Sequence, residues 1–285
     1  MRPETAAFRA AVRRRTVTRH NAAGRREARD HVVTEEPMEI RVLTRENGRV
    51  ARHSISVTMR TPGHDLELAA GFLFTEGVVH DPGEIEGIDH CPAPAAAPGP
   101  NVVNVSLREG TPFDPARFTR NVYTTSSCGV CGKTSLELVR VAGGRRVEGA
   151  FTVEGALLAD LPNRLRTHQA VFARTGGLHA AALYDREGRV LLVREDVGRH
   201  NALDKIVGRR WLDGELPLAD SLLLLSGRTG FELVQKAILG GIPLVASVGA
   251  PTSLALEMAE EFGLTVVGFL TPEGFNVYTG HHRVV

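Results

Sequence analysis

From residue 37 the chain alternates apolar and polar positions. Ile40 and Val42, then Val50, Ile55 and Val57, flank Glu46-Asn47-Gly48, a hairpin turn signal, and predict two paired strands. After Thr61-Pro62-Gly63 the period changes: Leu66, Ala69, Ala70 and Leu73 recur at helical spacing and predict a helix ending at Gly77. Residues 91–100 are rich in proline, alanine and glycine and read as a loop, and 101–107 alternates again with Val103, Val105 and Leu107 on one face. From about residue 161 strands and helices take turns. Residues 180–184 and 190–193 predict strands, 202–211 a helix, Ser221–Leu225 an apolar strand and Phe231–Leu239 a helix; a strand at 244–248, a helix at Ser253–Phe262 and a strand at 265–269 follow. Apolar strands between helices indicate a mixed or parallel sheet covered on both faces. The fold class is therefore α/β, with an α+β N-terminal part at 31–160, a second domain at 161–285, and a tail at 1–30.

Composition places the chain among ordinary globular proteins: 285 residues, 42% hydrophobic and 24% charged, enough for one large or two modest domains. A net charge of +1 gives no global field to draw in nucleic acid or membrane. No apolar run approaches the roughly 18 residues of a spanning helix, and the start of the chain lacks a signal-peptide apolar stretch. Three cysteines without a disulfide pattern fit a reducing cytoplasm. The charge is uneven, because the first 30 residues hold nine arginines against Glu4, Glu27 and Asp30. That segment reads as a disordered basic tail, either solvated or an arm for a partner's acidic surface.

Two of the three thiols, Cys128 and Cys131, sit in Ser126-Ser127-Cys128-Gly129-Val130-Cys131-Gly132-Lys133. A nearby lysine, helix-start N–H groups or a second thiol lowers a thiol's pKa toward the reactive thiolate. Glycines on both sides of Cys131 suit a mobile, close-approach loop at 121–133. Disulfide exchange, half of a zinc site and a persulfide relay all use such a pair. Structural zinc normally takes four ligands, and neither a second pair nor a suitably spaced histidine is present, so no metal is expected. Cys91, alone in a Pro/Ala stretch, reads as a small apolar residue.

Two strand-to-helix turns place glycine and hydroxyl residues where helix N-termini favour anions: Ser226-Gly227-Arg228-Thr229-Gly230 and Ser247-Val248-Gly249-Ala250-Pro251-Thr252-Ser253. Neither is a Walker loop or a dinucleotide fingerprint, and both also read as short capped turns. Arg194-Glu195-Asp196-Val197-Gly198-Arg199-His200 is either a solvated turn or a site where Asp196, Arg199 and His200 meet a polar ligand. Thr175-Gly176-Gly177-Leu178-His179-Ala180-Ala181 invites comparison with zinc deaminases, but Ala181 stands where the catalytic glutamate belongs and no CxxC follows. His179 is read as a pocket or core histidine.

Taken in order, the cysteine motif, the runs at 175–182, 195–205 and 226–237, Val267-Gly268-Phe269 and Phe275-Asn276-Val277-Tyr278-Thr279 resemble the formate dehydrogenase accessory sulfurtransferase family, FdhD, over about residues 35–285. The resemblance implies a sulfur carrier that takes persulfide sulfur from a cysteine desulfurase. It would pass that sulfur to the molybdenum cofactor, as bis-molybdopterin guanine dinucleotide, before insertion into formate dehydrogenase. It also implies a homodimer, and a C-terminal domain with the three-layer, mixed-sheet fold of cytidine deaminases. By position, Cys128 would carry the persulfide and Cys131 assist. The cofactor segment falls on Phe269, Leu270, Thr271, Pro272, Glu273 and Gly274, with Ser226, Gly227, Arg228 and His200 completing the expected contacts. Family members often have a basic residue in that segment; here Thr271 and Glu273 stand instead, so backbone N–H groups and Arg228 or Arg199 are expected to meet the pyrophosphate. A cofactor-holding chaperone without sulfur transfer and a thiol oxidoreductase are the alternatives.

Overall fold

The computed structural model describes residues 6–22, 24–46, 48–91, 101–115 and 143–285. The CxxC motif lies outside the described residues.

The expectation of a disordered tail is corrected. Helix α1 (Ala6–Ala11) leads into strands β1 (Val12–Asn21) and β2 (Gly24–Val33), which pair antiparallel from Val12↔Val33 to Asn21↔Gly24. Val12, Thr16, Val17, Thr18, Val32 and Val33 supply β-branched residues at intervals that the arginines mask. Among the described residues the hairpin is fixed at its root. There the Thr34 N–H donates to Ala11 O at 2.8 Å, and Ala11, Val171 and Leu178 form a small core with Phe8, Val12, Val33 and Val197.

Strands β3 (Glu36–Glu46) and β4 (Arg49–Arg60) form the expected hairpin. They join β5 (Ile85–His90) and β6 (Val102–Leu107) in a four-stranded sheet of order β4-β3-β6-β5, with β3 and β6 parallel. Helix α2 (Asp65–Thr75) lies on it, burying Leu68, Ala69 and Leu73 against Met38, Ile40, Val42, Val103, Val105 and Leu107.

The second sheet contains β7 (His179–Asp185), β8 (Val190–Asp196), β9 (Ser221–Leu225), β10 (Leu244–Ser247), β11 (Thr265–Thr271) and β12 (Gly274–Thr279) in the order β12-β11-β10-β9-β7-β8. It is mixed: β9, β10 and β11 run parallel, while β7 opposes β8 and β9, and β12 opposes β11. Alternate residues serve two cores. Leu183, Leu223, Val245 and Val266 face helices α5 (Arg199–Leu212), α6 (Phe231–Leu239) and α7 (Ser253–Phe262). Tyr184, Leu222, Leu224, Leu244, Ala246 and Val267 face Leu158, Leu161 and Leu165 of helix α3 (Gly155–Arg166). A short helix α4 (Phe172–Thr175) precedes β7. Three layers result, and no helix among the described residues is long and apolar enough to cross a membrane.

The expected boundary at 160/161 is also corrected, because it falls inside α3. Pro162 reads as a helix breaker but is buried within that helix. Val147 N–H donates to Phe262 O, and Val153 N–H to Arg283 O, so the C-terminal unit already includes residue 147.

Helices α2 and α5 join the two units and cross at glycines. A methyl group at Gly71 would sit 1.9 Å from Asp204 O, and one at Gly208 2.0 Å from Glu67 O. Only glycine allows this approach. Polar side chains close the junction: Lys236 Nζ pairs with Asp204 Oδ1 at 2.8 Å and donates to Thr75 Oγ1 at 2.8 Å. Burial alone would lower the Lys236 ammonium, yet Asp204 and Glu76 hold it above its ordinary range.

Candidate functional site

The carboxyl ends of β8, β9, β10 and β11 share one edge of the mixed sheet with the start of β7, so the loops that follow those strands form one rim. They are stitched together through the backbone. Val248 N–H donates to Leu225 O, Gly249 N–H to Gly227 O, Thr229 N–H to Ala250 O and Phe269 N–H to Gly249 O, all at 3.1 Å. A methyl group at Gly249 would lie 2.9 Å from the Arg228 backbone, so this glycine sets the spacing of the two turns. The Ser226 hydroxyl accepts from Ala180 N–H at 2.8 Å and braces β7 instead of facing outward. Arg228 is exposed on the rim.

Phe269 is the unusual residue of this edge. Its φ is +54°, in the left-handed region that a bulky side chain rarely adopts. It sits at a register shift between β11 and β12, with 49% of its surface exposed. Strain of this kind collects at functional sites. The remainder of the expected cofactor segment divides: Leu270 is fully buried in the core, leaving only its backbone for a ligand, whereas Thr271, Pro272, Glu273 and Gly274 form an exposed hairpin turn.

The run at 194–200 also divides between scaffold and rim. Arg194 makes two bonds to Glu67 of α2, at 2.6 and 2.8 Å. Burial opposes ionisation of Glu67, but Arg194 and His64 bring its carboxyl down to about 2. Asp196 is buried, 2.7 Å from Lys205 Nζ, and also accepts from Thr61 N–H, Gly198 N–H and Asn201 Nδ2. Glu195 accepts from the N–H groups of Val171 and Phe172, and burial holds its carboxyl above the usual range. Asp196 is thus structural, not a ligand contact.

Arg199 and His200 open α5 at the rim. His200 Nε2 lies 2.6 Å from Glu232 Oε2 in the first turn of α6, and this bond is the main cause of the lowered Glu232 pKa. Arg199 Nε is buried with no hydrogen-bond partner among the described residues. His179 abuts Gly227, where a methyl group would sit 3.2 Å from Nδ1. Burial, then the charges of Arg199 and His200, push the His179 pKa down, with Asp196 opposing. The rim therefore brings together His179, His200, Arg199, Arg228 and Phe269.

A second feature escaped the sequence. A cavity of about 520 Å³ lies between the root of the N-terminal hairpin and the turn before α2, lined by Arg9, Arg13, Arg60, His64, Asp65 and His90 among others. Arg60 is buried and binds Asp65 through two nitrogens, at 3.1 and 2.9 Å, while His64 has a φ of +59°. Arg60 merely ends a strand in the sequence, so no pattern marks it.

Linked strand-end loops carrying cationic and aromatic side chains define an α/β protein with a candidate ligand site at its sheet edge. Residues 33–285 match the model of the FdhD/NarQ family. The chain is 51% identical over 260 residues to the sulfur carrier protein FdhD of Streptomyces avermitilis, covering 90% of this chain and 89% of that one. It is 48% identical over 275 residues to the protein of the same name from Mycolicibacterium paratuberculosis, covering 95% and 98%. A crystal structure of a candidate formate dehydrogenase accessory protein from Desulfotalea psychrophila superimposes with a TM-score of 0.72 at 25% identity, over 96% of this chain and all of that one. The chain belongs to the FdhD/NarQ family.

Proposed function

We propose that this protein is a sulfur carrier serving formate dehydrogenase. The similarity to proteins named as sulfur carriers, at about half identity across nearly the whole chain, carries the reading. The Cys128-x-x-Cys131 motif supplies the required chemistry. The Cys128 thiolate attacks the outer sulfur of a persulfide on a cysteine desulfurase, forming a new S–S bond as the donor cysteine departs as thiolate. Cys131 assists release of the sulfane sulfur to the acceptor. That acceptor is the bis-molybdopterin guanine dinucleotide cofactor, a substrate held at the sheet edge. Phe269 offers a face for the guanine, and Arg228, Arg199 and the N–H groups of the turns meet the phosphates. His200, held by Glu232, borders the same place. The reading extends to a cytoplasmic homodimer whose C-terminal unit is a variant of the cytidine deaminase fold, consistent with its mixed sheet between helical layers.

Intact mass after incubation with a cysteine desulfurase and cysteine tests the carrier. A reductant-sensitive gain of one sulfur, about 32 Da, present in the wild type and absent in Cys128→Ala, is expected. No gain with an active donor would leave a protein that holds the cofactor without carrying sulfur.

A further inference from the structure

Strands β1 and β2 pair as a ribbon, and residues 12–33 hold seven arginines, no lysine and two carboxylates. Arg13 pairs with Glu36 at 2.6 Å and Arg19 approaches Asp30 at 3.7 Å; among the described residues Arg14, Arg15, Arg25, Arg26 and Arg29 pair with no carboxylate. Near the tip, Arg19 stands directly opposite Arg26 and His20 opposite Arg25. Like charges facing each other across strands destabilise a hairpin, and a two-stranded ribbon has little stability of its own. Both faces of this one are largely exposed. The ribbon thus holds a concentration of positive charge that an external anion would relieve. Guanidinium groups suit carboxylates, which they bind through two nitrogens.

The root of the ribbon fixes where such an anion would be held. Val33 packs near Leu178 and Val197, and a methyl group at Gly177 would sit 3.1 Å from Val33 Cγ1. Leu178 precedes His179, and Val197 lies two residues before Arg199. The arm therefore springs from the rim of the candidate cofactor site. Apart from Val33 it also lies outside the family match, which begins at residue 33.

We propose that the hairpin is a docking arm for an acidic surface of the protein that receives the cofactor, and that it holds this client against the sheet edge. The identity of the client rests on the function proposed above. One observation favours protein over nucleic acid: the arm has no aromatic residue on which a base would stack.

The test compares the full-length wild type with the quadruple variant Arg14→Glu, Arg25→Glu, Arg26→Glu, Arg29→Glu, and measures affinity for the apo catalytic subunit of the cognate formate dehydrogenase. In 50 mM NaCl the variant should bind at least about thirtyfold more weakly, and raising salt to 300 mM should weaken the wild type about tenfold with little change in the variant. The substitutions place glutamates opposite Arg19 and His20, so the arm should not melt earlier. A version with glutamine at the same positions, expected to bind with intermediate affinity, guards against a folding artefact. Affinities within twofold of each other would overturn the proposal, as would a wild type that does not bind the subunit. So would an arm-dependent preference for a 20-base-pair duplex, or an arm-dependent change in oligomeric mass. GDP binding and the sulfur gain on Cys128 should be unchanged in the variant. Their absence from the wild type would strike the carrier reading, whereas their presence with equal client binding would strike the arm alone.

Discussion

The junction between α2 and α5 and the rim of the mixed sheet both draw on residues 194–205, yet they treat polar groups in opposite ways. At the junction every charge has a partner: Arg194 has Glu67, Lys205 has Asp196, and Lys236 has Asp204. At the rim His200 pairs with Glu232, but among the described residues Arg199 Nε is buried without a partner, Arg228 is exposed, and Phe269 holds a strained backbone and an exposed ring. A dense run of ionisable residues does not by itself reveal a site. Arg194, Asp196 and Lys205 belong to the scaffold because Glu67 and Thr61 meet them, whereas Arg199 and His200 face the rim, and that division depends on residues far away in the chain.

Asp196→Ala should break the scaffold most severely. It leaves the buried Lys205 ammonium without its counterion and the Thr61, Gly198 and Asn201 donors without an acceptor. A loss of about 3–5 kcal/mol is expected in urea unfolding. Arg228→Ala on the exposed rim should change stability by less than about 0.5 kcal/mol. Similar losses for both would erase the difference between scaffold and rim.

Acid sharpens the same contrast. With a folded pKa of about 2 against an ordinary 4.5, Glu67 contributes stability that is fully present above 4.5 and is lost as pH falls toward 2. The contribution is on the order of 3 kcal/mol. Glu67→Gln should flatten the stability profile across that window. Glu232 is also lowered, first by its bond to His200, but its carboxylate is 49% exposed, so its effect should be smaller and fade with added salt. An acid limb unchanged by Glu67→Gln would show that the pair with Arg194 carries no such weight.

Much of the second unit is legible because its strand Ser221–Leu225 is a short apolar run and its helices Phe231–Leu239 and Ser253–Phe262 carry helical apolar spacing; all three adopt the expected bounds. Three kinds of element are not. The basic hairpin hides its β-branched residues among arginines, α3 contains Pro162, and β12 mixes Asn276 and Thr279 with its apolar residues. Within the site, the glycine turns and His200 stood out as chemistry-bearing patterns. The sequence could not show that the Ser226 hydroxyl is occupied, that Leu270 faces the core, or that Asp196 is tied to Thr61, 135 residues away in sequence. Those facts arise from pairings that no local window contains.

Phe269 separates the two regions with the smallest change. Replacing a left-handed, exposed phenylalanine by glycine removes backbone strain and little packing, so Phe269→Gly should leave the protein as stable as the wild type or more so, by up to about 1 kcal/mol. If the ring stacks on guanine, the same substitution should weaken GDP binding by about 1–3 kcal/mol, roughly 5- to 150-fold. Calorimetric titration with GDP and thermal unfolding of the same samples give both readouts. A residue kept for packing would lose stability and leave GDP affinity alone; a residue strained for binding does the reverse. If stability fell while binding held, Phe269 would move from the rim to the scaffold, and the guanine would have to be sought elsewhere along the edge.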